Sequence, residues 1–306
     1  MNVFKKLGVV ILISLLWLWS RLSLNSAQKI GYFIGSIFLR FNSNTKRVTQ
    51  KNIALCFPEL SAYHQKRLVE DSLRQMCITG AEMPAILFQS PKRLLRNLTV
   101  EDEDILQQLY SENRGLLVLG AHLGCWEIGS MYFPKHFPSS MLYTPPKIAF
   151  INKLIHRARS RLCKNMSPAN HKGVKMLFAA LKRKELVAML SDQVPTGIGG
   201  TYLDFFNVPA KTMNFPGKLY ERFKPAVIVG YPIRNKGKKG ITMYIENLEP
   251  DIIEAMQNPD IEDPCAYAFT KSFEKMIERF PDQYQWSYKR FKYNPDGIDF
   301  YKKDEQ

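Results

Sequence analysis

The sequence predicts an α/β fold, a mixed and mostly parallel sheet covered by helices, and two observations carry that prediction. Short apolar runs recur at Leu116 to Leu119, Leu186 to Leu190, "AVIVGYP" (226 to 232) and "ITMYIEN" (241 to 247). Segments with apolar residues at helical spacing lie between them, as Val174, Leu177, Phe178 and Leu181 do. Runs that short suit buried strands, and their alternation with helices is the pattern of a helix-covered sheet. The 306 residues, 45% of them apolar, can fill one large core or two ordinary ones.

The N-terminus is the first element to explain. Leu7 to Ser20, "LGVVILISLLWLWS", carries no charge and follows Lys5 and Lys6. A basic start before an apolar run describes a signal peptide, but no small-residue cleavage pattern follows, so the segment is expected to stay on the chain. A bilayer core needs about 20 apolar residues, so this run needs help from its flanks or lies in the interface. Ile30 to Phe41 reads as a second interfacial helix, and Trp17 and Trp19 beside Arg21 suit a headgroup boundary. A buried helix hairpin is the alternative. Arg21, Lys29, Arg40, Lys46, Arg47 and Lys51 outnumber the two lysines upstream, which puts the rest of the chain on the cytoplasmic side. The expected organisation is a membrane-anchoring segment at 1–42 and a single domain at 43–306.

A helix is expected from Ser61 to about Met83, where Leu68, Leu73, Met76 and Cys77 recur at helical spacing and Pro84 follows. In "NRGLLVLGAHLGCWEIG" (113 to 129) a strand ends near Ala121, the glycines at 120 and 124 bracket a turn, and a helix begins near Glu127. On one helix His122 and Glu127 would point about 140° apart. Across a strand-to-helix turn they can meet, and a carboxylate on one imidazole nitrogen leaves the other free as a base. A capping histidine with a glutamate at a positive helix end is the competing account.

Lys147 to Lys164 reads as helical, with Ile148, Ile151, Ile155 and Leu162 on one stripe and Arg159 among them. Lys153, Arg157, Arg161 and Lys164 fall on the opposite, solvated face. A guanidinium on an apolar stripe needs an anion, either a structural carboxylate or a substrate phosphate. Asp192 ends the run "LVAMLSDQ", at the strand end where ligands collect in such sheets. "GIGG" at 197 to 200 lacks the context of a phosphate loop and reads as a flexible turn.

Lys and Arg total 43 against 28 Asp and Glu, a formal charge of +15, which calls for an anionic partner: nucleic acid, anionic lipid or an acidic carrier protein. The basic residues are dispersed and no nucleic-acid-binding motif is found, so a membrane-anchored nucleic-acid-binding protein is the weaker rival, resting on the tail "YQWSYKRFKY". The five cysteines are odd in number and show no paired spacing, so neither a disulfide framework nor a zinc site is expected, and a reducing compartment fits.

"GAHLGCWE" matches the H-x-x-x-x-D/E box of glycerolipid acyltransferases. Over nearly its whole length the chain resembles the lipid A late acyltransferases of Gram-negative bacteria, the lauroyl and myristoyl transferase group. The stretches that carry the resemblance, in order, are the apolar N-terminus, "TQKNIALCFPEL", "GAHLGCWEIG", the basic helix with "RARSR", "SDQ", "FFNVPAKT" and "FPDQYQWSYKRFK". The resemblance implies a glycerolipid acyltransferase-like fold and transfer of an acyl chain from acyl carrier protein to a hydroxyl of a lipid A precursor. It implies His122 as general base oriented by Glu127, with Arg159 and Asp192 lining the lipid headgroup region. No cofactor or metal is implied beyond the acyl carrier thioester as donor substrate. The implied partners are the acyl carrier protein, the lipid A precursor and anionic lipid of the inner membrane, with the main domain on its cytoplasmic face. A relative acting on a glycerophospholipid, ornithine lipid or mannoside is the rival within the superfamily.

Overall fold

The computed structural model describes residues 3–146, 148–195 and 199–302. Helices α1 (Val3–Trp19), α2 (Leu24–Phe38), α3 (Asn44–Cys56) and α4 (Ala62–Phe88) come first. A single-turn helix α5 (Pro91–Leu94) and a 3-10 turn at Leu95–Asn97 lead into β1 (Leu98–Glu101) and α6 (Glu103–Ser111). The expected alternation follows: β2 (Leu116–Gly120), α7 (Trp126–His136), β3 (Ser139–Tyr143), α8 (Ala149–Arg159), β4 (Asn165–Pro168), α9 (His171–Lys182) and β5 (Leu186–Leu190). The hairpin β6 (Thr201–Phe205) and β7 (Val208–Thr212), then α10 (Phe215–Phe223), β8 (Ala226–Arg234), β9 (Ile241–Asn247), α11 (Glu249–Met256) and α12 (Pro264–Arg279) complete the chain up to its irregular tail.

One seven-stranded sheet, in the order β1-β9-β8-β2-β5-β3-β4, organises the molecule. Strands β8, β2, β5, β3 and β4 run parallel, β9 is antiparallel to β8, and β1 is parallel to β9. This is the mixed, mostly parallel sheet expected. Every residue of the central β2 is buried, because helices cover both faces, which is why the strand reads as one apolar run without alternation. Leu117 and Leu119 face one core with Val187, Val229 and Phe269, while Leu116 and Val118 face another with Tyr132, Phe133 and Ile228.

Two helices end differently from expectation. Helix α4 continues through Pro84 to Phe88, although proline removes one helical hydrogen bond. Ala85 and Ile86 are buried, and Arg161 donates to the carbonyls of Ile86, at 2.5 Å, and Gln89, so packing and a cation at the helix end outweigh the break. Helix α8 stops at Arg159, and Asn165–Pro168 pairs with β3 as an edge strand. Cys163 between them is pulled into the core. Lys147 and two residues of the "GIGG" stretch, 197 and 198, lie outside the described residues.

The first two helices are docked on the rest of the chain. A Cβ on Gly31 would stand 2.6 Å from the Cα of Ile78, and one on Gly35 2.7 Å from the Cα of Arg74, so glycine alone lets α2 lie flush on α4. Trp19 Nε1 donates to the carbonyl of Ala81 at 3.1 Å. The outer faces stay apolar: Leu15, Leu18 and Phe33 are each about 60% exposed. Among the described residues no single helix is long and apolar enough to cross a membrane, and the α1–α2 pair that could do so together is bent by 113°.

Candidate active site

The sheet itself assembles the site. Strands β2 and β5 are parallel neighbours in a register that places Gly120 opposite Leu190. Two residues beyond each strand end come His122 and Asp192, so equal offsets bring them level at the carboxyl edge of the sheet. His122 Nδ1 lies 2.8 Å from Asp192 Oδ1, and the backbone N–H of His122 donates to Oδ2 at 3.1 Å. A carboxylate only accepts, so Nδ1 carries a proton and Nε2 is left on the side of the ring away from Asp192. Burial by itself would raise the Asp192 carboxyl, but the charge and hydrogen bonds of His122 pull it below the usual aspartate value. The stability this contributes is present at neutral pH and is lost as the pH falls through that lowered value.

The carboxylate in contact with the imidazole is thus that of Asp192 and not, as the spacing suggested, that of Glu127. Glu127 does lie in the first turn of α7, but its carboxylate faces the last residue of α8. Arg159 Nε donates to Oε2 at 3.0 Å and Nη2 to Oε1 at 2.5 Å, a two-bonded fork. The anion that Arg159 required is thus a carboxylate of the same chain, and the stripe that carries Arg159 is only partly buried: Ile151, Ile155 and Leu162 are half-buried and Ile148, just before the helix, is 60% exposed. Arg161, expected on a solvated face, is turned inward onto the end of α4.

The turn holding His122 depends on close backbone approach. Gly124 has φ +62°, and a Cβ there would come 2.2 Å from the carbonyl oxygen of Pro232. Cys125 N–H donates to that same carbonyl at 2.8 Å, Gly124 N–H to the Gln283 carbonyl at 3.0 Å, and Gln285 N–H to the His122 carbonyl at 3.0 Å. The tail thus clamps the turn, and Asn52 clamps the tail in its turn, donating to the carbonyls of Trp286 and Tyr288. Arg290, buried behind Asp192, donates to the Lys211 carbonyl and Thr212 Oγ1 and adds a positive charge that favours the carboxylate.

Glu82 and Arg234 form a second buried pair beside the turn. Arg234 Nε and Nη2 donate to the two Glu82 oxygens at 2.8 and 2.5 Å, and Gln28 Nε2 adds a third bond at 2.8 Å. Cys125 is packed against this pair, and burial together with the charge of Glu82 pushes its thiol well up, so it is a poor nucleophile. Cys125→Ala is expected to keep most of the activity and to cost on the order of 1 kcal/mol in stability, measurable by thermal melting. Sequence reasoning passed over Glu82, Arg234, Gln283 and Arg290. Arg234, charged at the end of an apolar strand, was the available signal.

On the far side of Trp126 from the imidazole runs a cleft of about 210 Å³, lined in part by Met76, Gly80, Met83, Trp126, Tyr284 and Trp286. The Trp126 ring meets the imidazole edge-on, 5.2 Å between centroids, so one ring borders both the cleft and His122. Among the described residues no cluster of His, Cys, Asp and Glu could hold a metal ion.

Fold and site together define an α/β protein with a histidine held by a carboxylate at the strand ends of its sheet, next to a cleft of mixed but largely apolar lining. Residues 2–293 match the family described as bacterial lipid A biosynthesis acyltransferase, and the chain belongs to that family. It is similar to the lipid A biosynthesis palmitoleoyltransferase of Escherichia coli K12, 27% identical over 93% of this chain and 91% of the relative. The lauroyltransferase of the same strain is 26% identical over 94% and 92%, and a lipid A biosynthesis acyltransferase of Haemophilus influenzae is 25% identical over 88% and 85%.

Proposed function

We propose that this protein transfers a fatty acyl chain from an acyl carrier protein thioester to a hydroxyl of a lipid A precursor, at the cytoplasmic face of the inner membrane. The observation that carries the reading is the His122–Asp192 pair, with Nε2 bonded to none of the described residues, in a chain of this family. Nε2 takes the proton of the acceptor hydroxyl as its oxygen attacks the thioester carbonyl. The tetrahedral intermediate collapses by breaking the carbon–sulfur bond, and the imidazolium returns the proton to the departing thiolate. Asp192 holds the tautomer and stabilises the imidazolium. Glu127 acts as a positioning residue, fixing Arg159 at the mouth of the site. The cleft beside Trp126 offers the acyl chain an apolar seat, and the outward apolar faces of α1 and α2 suit attachment to the bilayer.

The test is incubation of purified protein with defined acyl carrier thioesters and tetra-acyl or penta-acyl lipid A precursors, followed by mass spectrometry. The precursor is expected to gain an acyl chain. An unchanged precursor alongside acylated glycerophospholipid, ornithine lipid or mannoside would transfer the enzyme to another acceptor class.

A further inference from the structure

Arg159, the cation expected to meet a lipid phosphate, is taken by Glu127, which raises the question of where an anionic headgroup would be received. Two other arginines, Arg21 and Arg93, meet where α1 ends, and Arg161, with Arg157 near enough to repel its charge, reaches the same place through Gln89. The carbonyl of Arg21 accepts from Arg93 Nη2 at 3.2 Å, and the Arg21 guanidinium lies over the Trp17 ring, 5.4 Å from its centroid. Gln89 ties this turn to the end of α4, donating to the carbonyls of Ser20 at 2.6 Å and Leu22 at 2.8 Å. Arg161 donates to the Gln89 carbonyl from the other side, and burial and the positive charge of Arg157 hold it below its ordinary value. Among the described residues none of the four has a carboxylate within ion-pair distance, as is true of several other arginines of the chain, so what distinguishes them is their place at the end of α1 and the end of α4.

We infer that Arg21, Arg93, Arg157 and Arg161 form a receiving rim for the phosphate monoester of a membrane lipid headgroup, the acceptor's own. Like charges held together without counter-charges are stabilised when an anion arrives, and guanidinium forks match phosphate oxygens. The rim borders two surfaces that such a lipid must touch at once. On one side it meets the end of α1, where exposed Leu15, Trp17 and Leu18 mark an apolar face and an arginine beside a tryptophan sits at headgroup level. On the other side Arg161 reaches the carbonyl of Ile86, which lines one recess with Trp126 and Glu127, and the Trp126 ring meets the imidazole of His122. An acidic carrier arriving from water has no reason to meet the end of an apolar helix. This inference rests on the acyl transfer proposed above.

The experiment replaces Arg21, Arg93 and Arg157 together by Gln, leaving Arg161 to cap α4, and compares this with a control triple, Lys172→Gln, Lys175→Gln and Lys182→Gln, on exposed positions of α9. Binding of full-length protein is measured on phosphatidylcholine vesicles with and without phosphatidic acid. The rim variant is expected to lose roughly a hundredfold in affinity for the phosphatidic acid vesicles at low salt, about fivefold per arginine, and to bind neutral vesicles as before. The control should lose little. In acyl transfer, KM for the phosphorylated acceptor should rise with kcat and the donor KM unchanged. Equal losses in rim and control variants, or an unaltered preference for phosphatidic acid, would overturn the rim. A rise confined to the donor KM would make it a carrier docking site instead. The vesicle result stands whether or not the protein proves to be an acyltransferase, so the two proposals can fail separately.

Discussion

His122→Ala is expected to lower kcat/KM for acyl transfer by about 10³-fold, the range in which removal of a positioned general base falls. That loss corresponds to about 4 kcal/mol of transition-state stabilisation. Asp192→Asn keeps the side chain's shape but removes the charge, and an amide can hold the imidazole in the wrong tautomer, so a loss of at least about 10²-fold is expected. The double variant should be little worse than the worse single one, because the two residues act as a unit. Glu127→Gln should cost less and leave the fold intact, since it weakens the Arg159 fork rather than the base. Rates are read with a defined acyl carrier thioester, with melting temperature as the check on folding. A Glu127→Gln loss equal to that of His122→Ala, beside a near wild-type Asp192→Asn, would return the orienting role to the glutamate.

The largest stability effect is expected at Glu82 and Arg234. Their side chains are 2% and 6% exposed, and burial would by itself lower the arginine's pKa, but the charge and hydrogen bonds of Glu82 hold it above its ordinary value. Removing one partner strands the other's charge in a low-dielectric interior, which costs about 3 to 5 kcal/mol. Glu82→Leu and Arg234→Met should each lower the melting temperature by roughly 10 °C. The double variant should recover much of the loss, because an apolar pair of similar volume strands no charge. Additive losses would mean that the surrounding bonds to Gln28, Thr79 and Gln75 matter more than the ion pair.

Activity should fall as well in those stability variants. Arg234 ends β8, and its backbone N–H donates to Gln283 Oε1 while the Gln283 amide donates back to the Arg234 carbonyl. Gln283 in turn accepts from Gly124 through its own carbonyl. The pair, which joins α4 to the end of β8, is therefore two contacts from the turn that holds His122. Loosening it is expected to raise the mobility of that turn before the sheet melts.

Much of the architecture was legible along the chain. Strands buried on both faces leave continuous apolar runs, and so β2, β5, β8 and β9 could be read directly, as could the strand-to-helix turn around His122. The short edge strands β1 and β4 were not legible. "LTVE" and "NMSP" are half-polar segments whose strand geometry comes from a neighbour's hydrogen bonds. The continuation of α4 past Pro84 was hidden for a related reason, since the compensating donor, Arg161, lies 75 residues from the carbonyl of Ile86.

By itself the sequence determined that the chain alternates short apolar strands with helices, that a histidine stands at one strand end and an aspartate at another, and that a glutamate begins the next helix. These are local facts, set by residue type, period and turn chemistry. Which carboxylate serves the histidine was decided only by tertiary structure. Glu127 is five residues from His122 and Asp192 is seventy, but the parallel register of β2 and β5 brings the distant one to 2.8 Å. The helical path of α7 turns the near one toward Arg159. Pairing in a sheet couples positions by their offset from the strand ends and not by their separation along the chain, so no local reading of spacing could have made that choice.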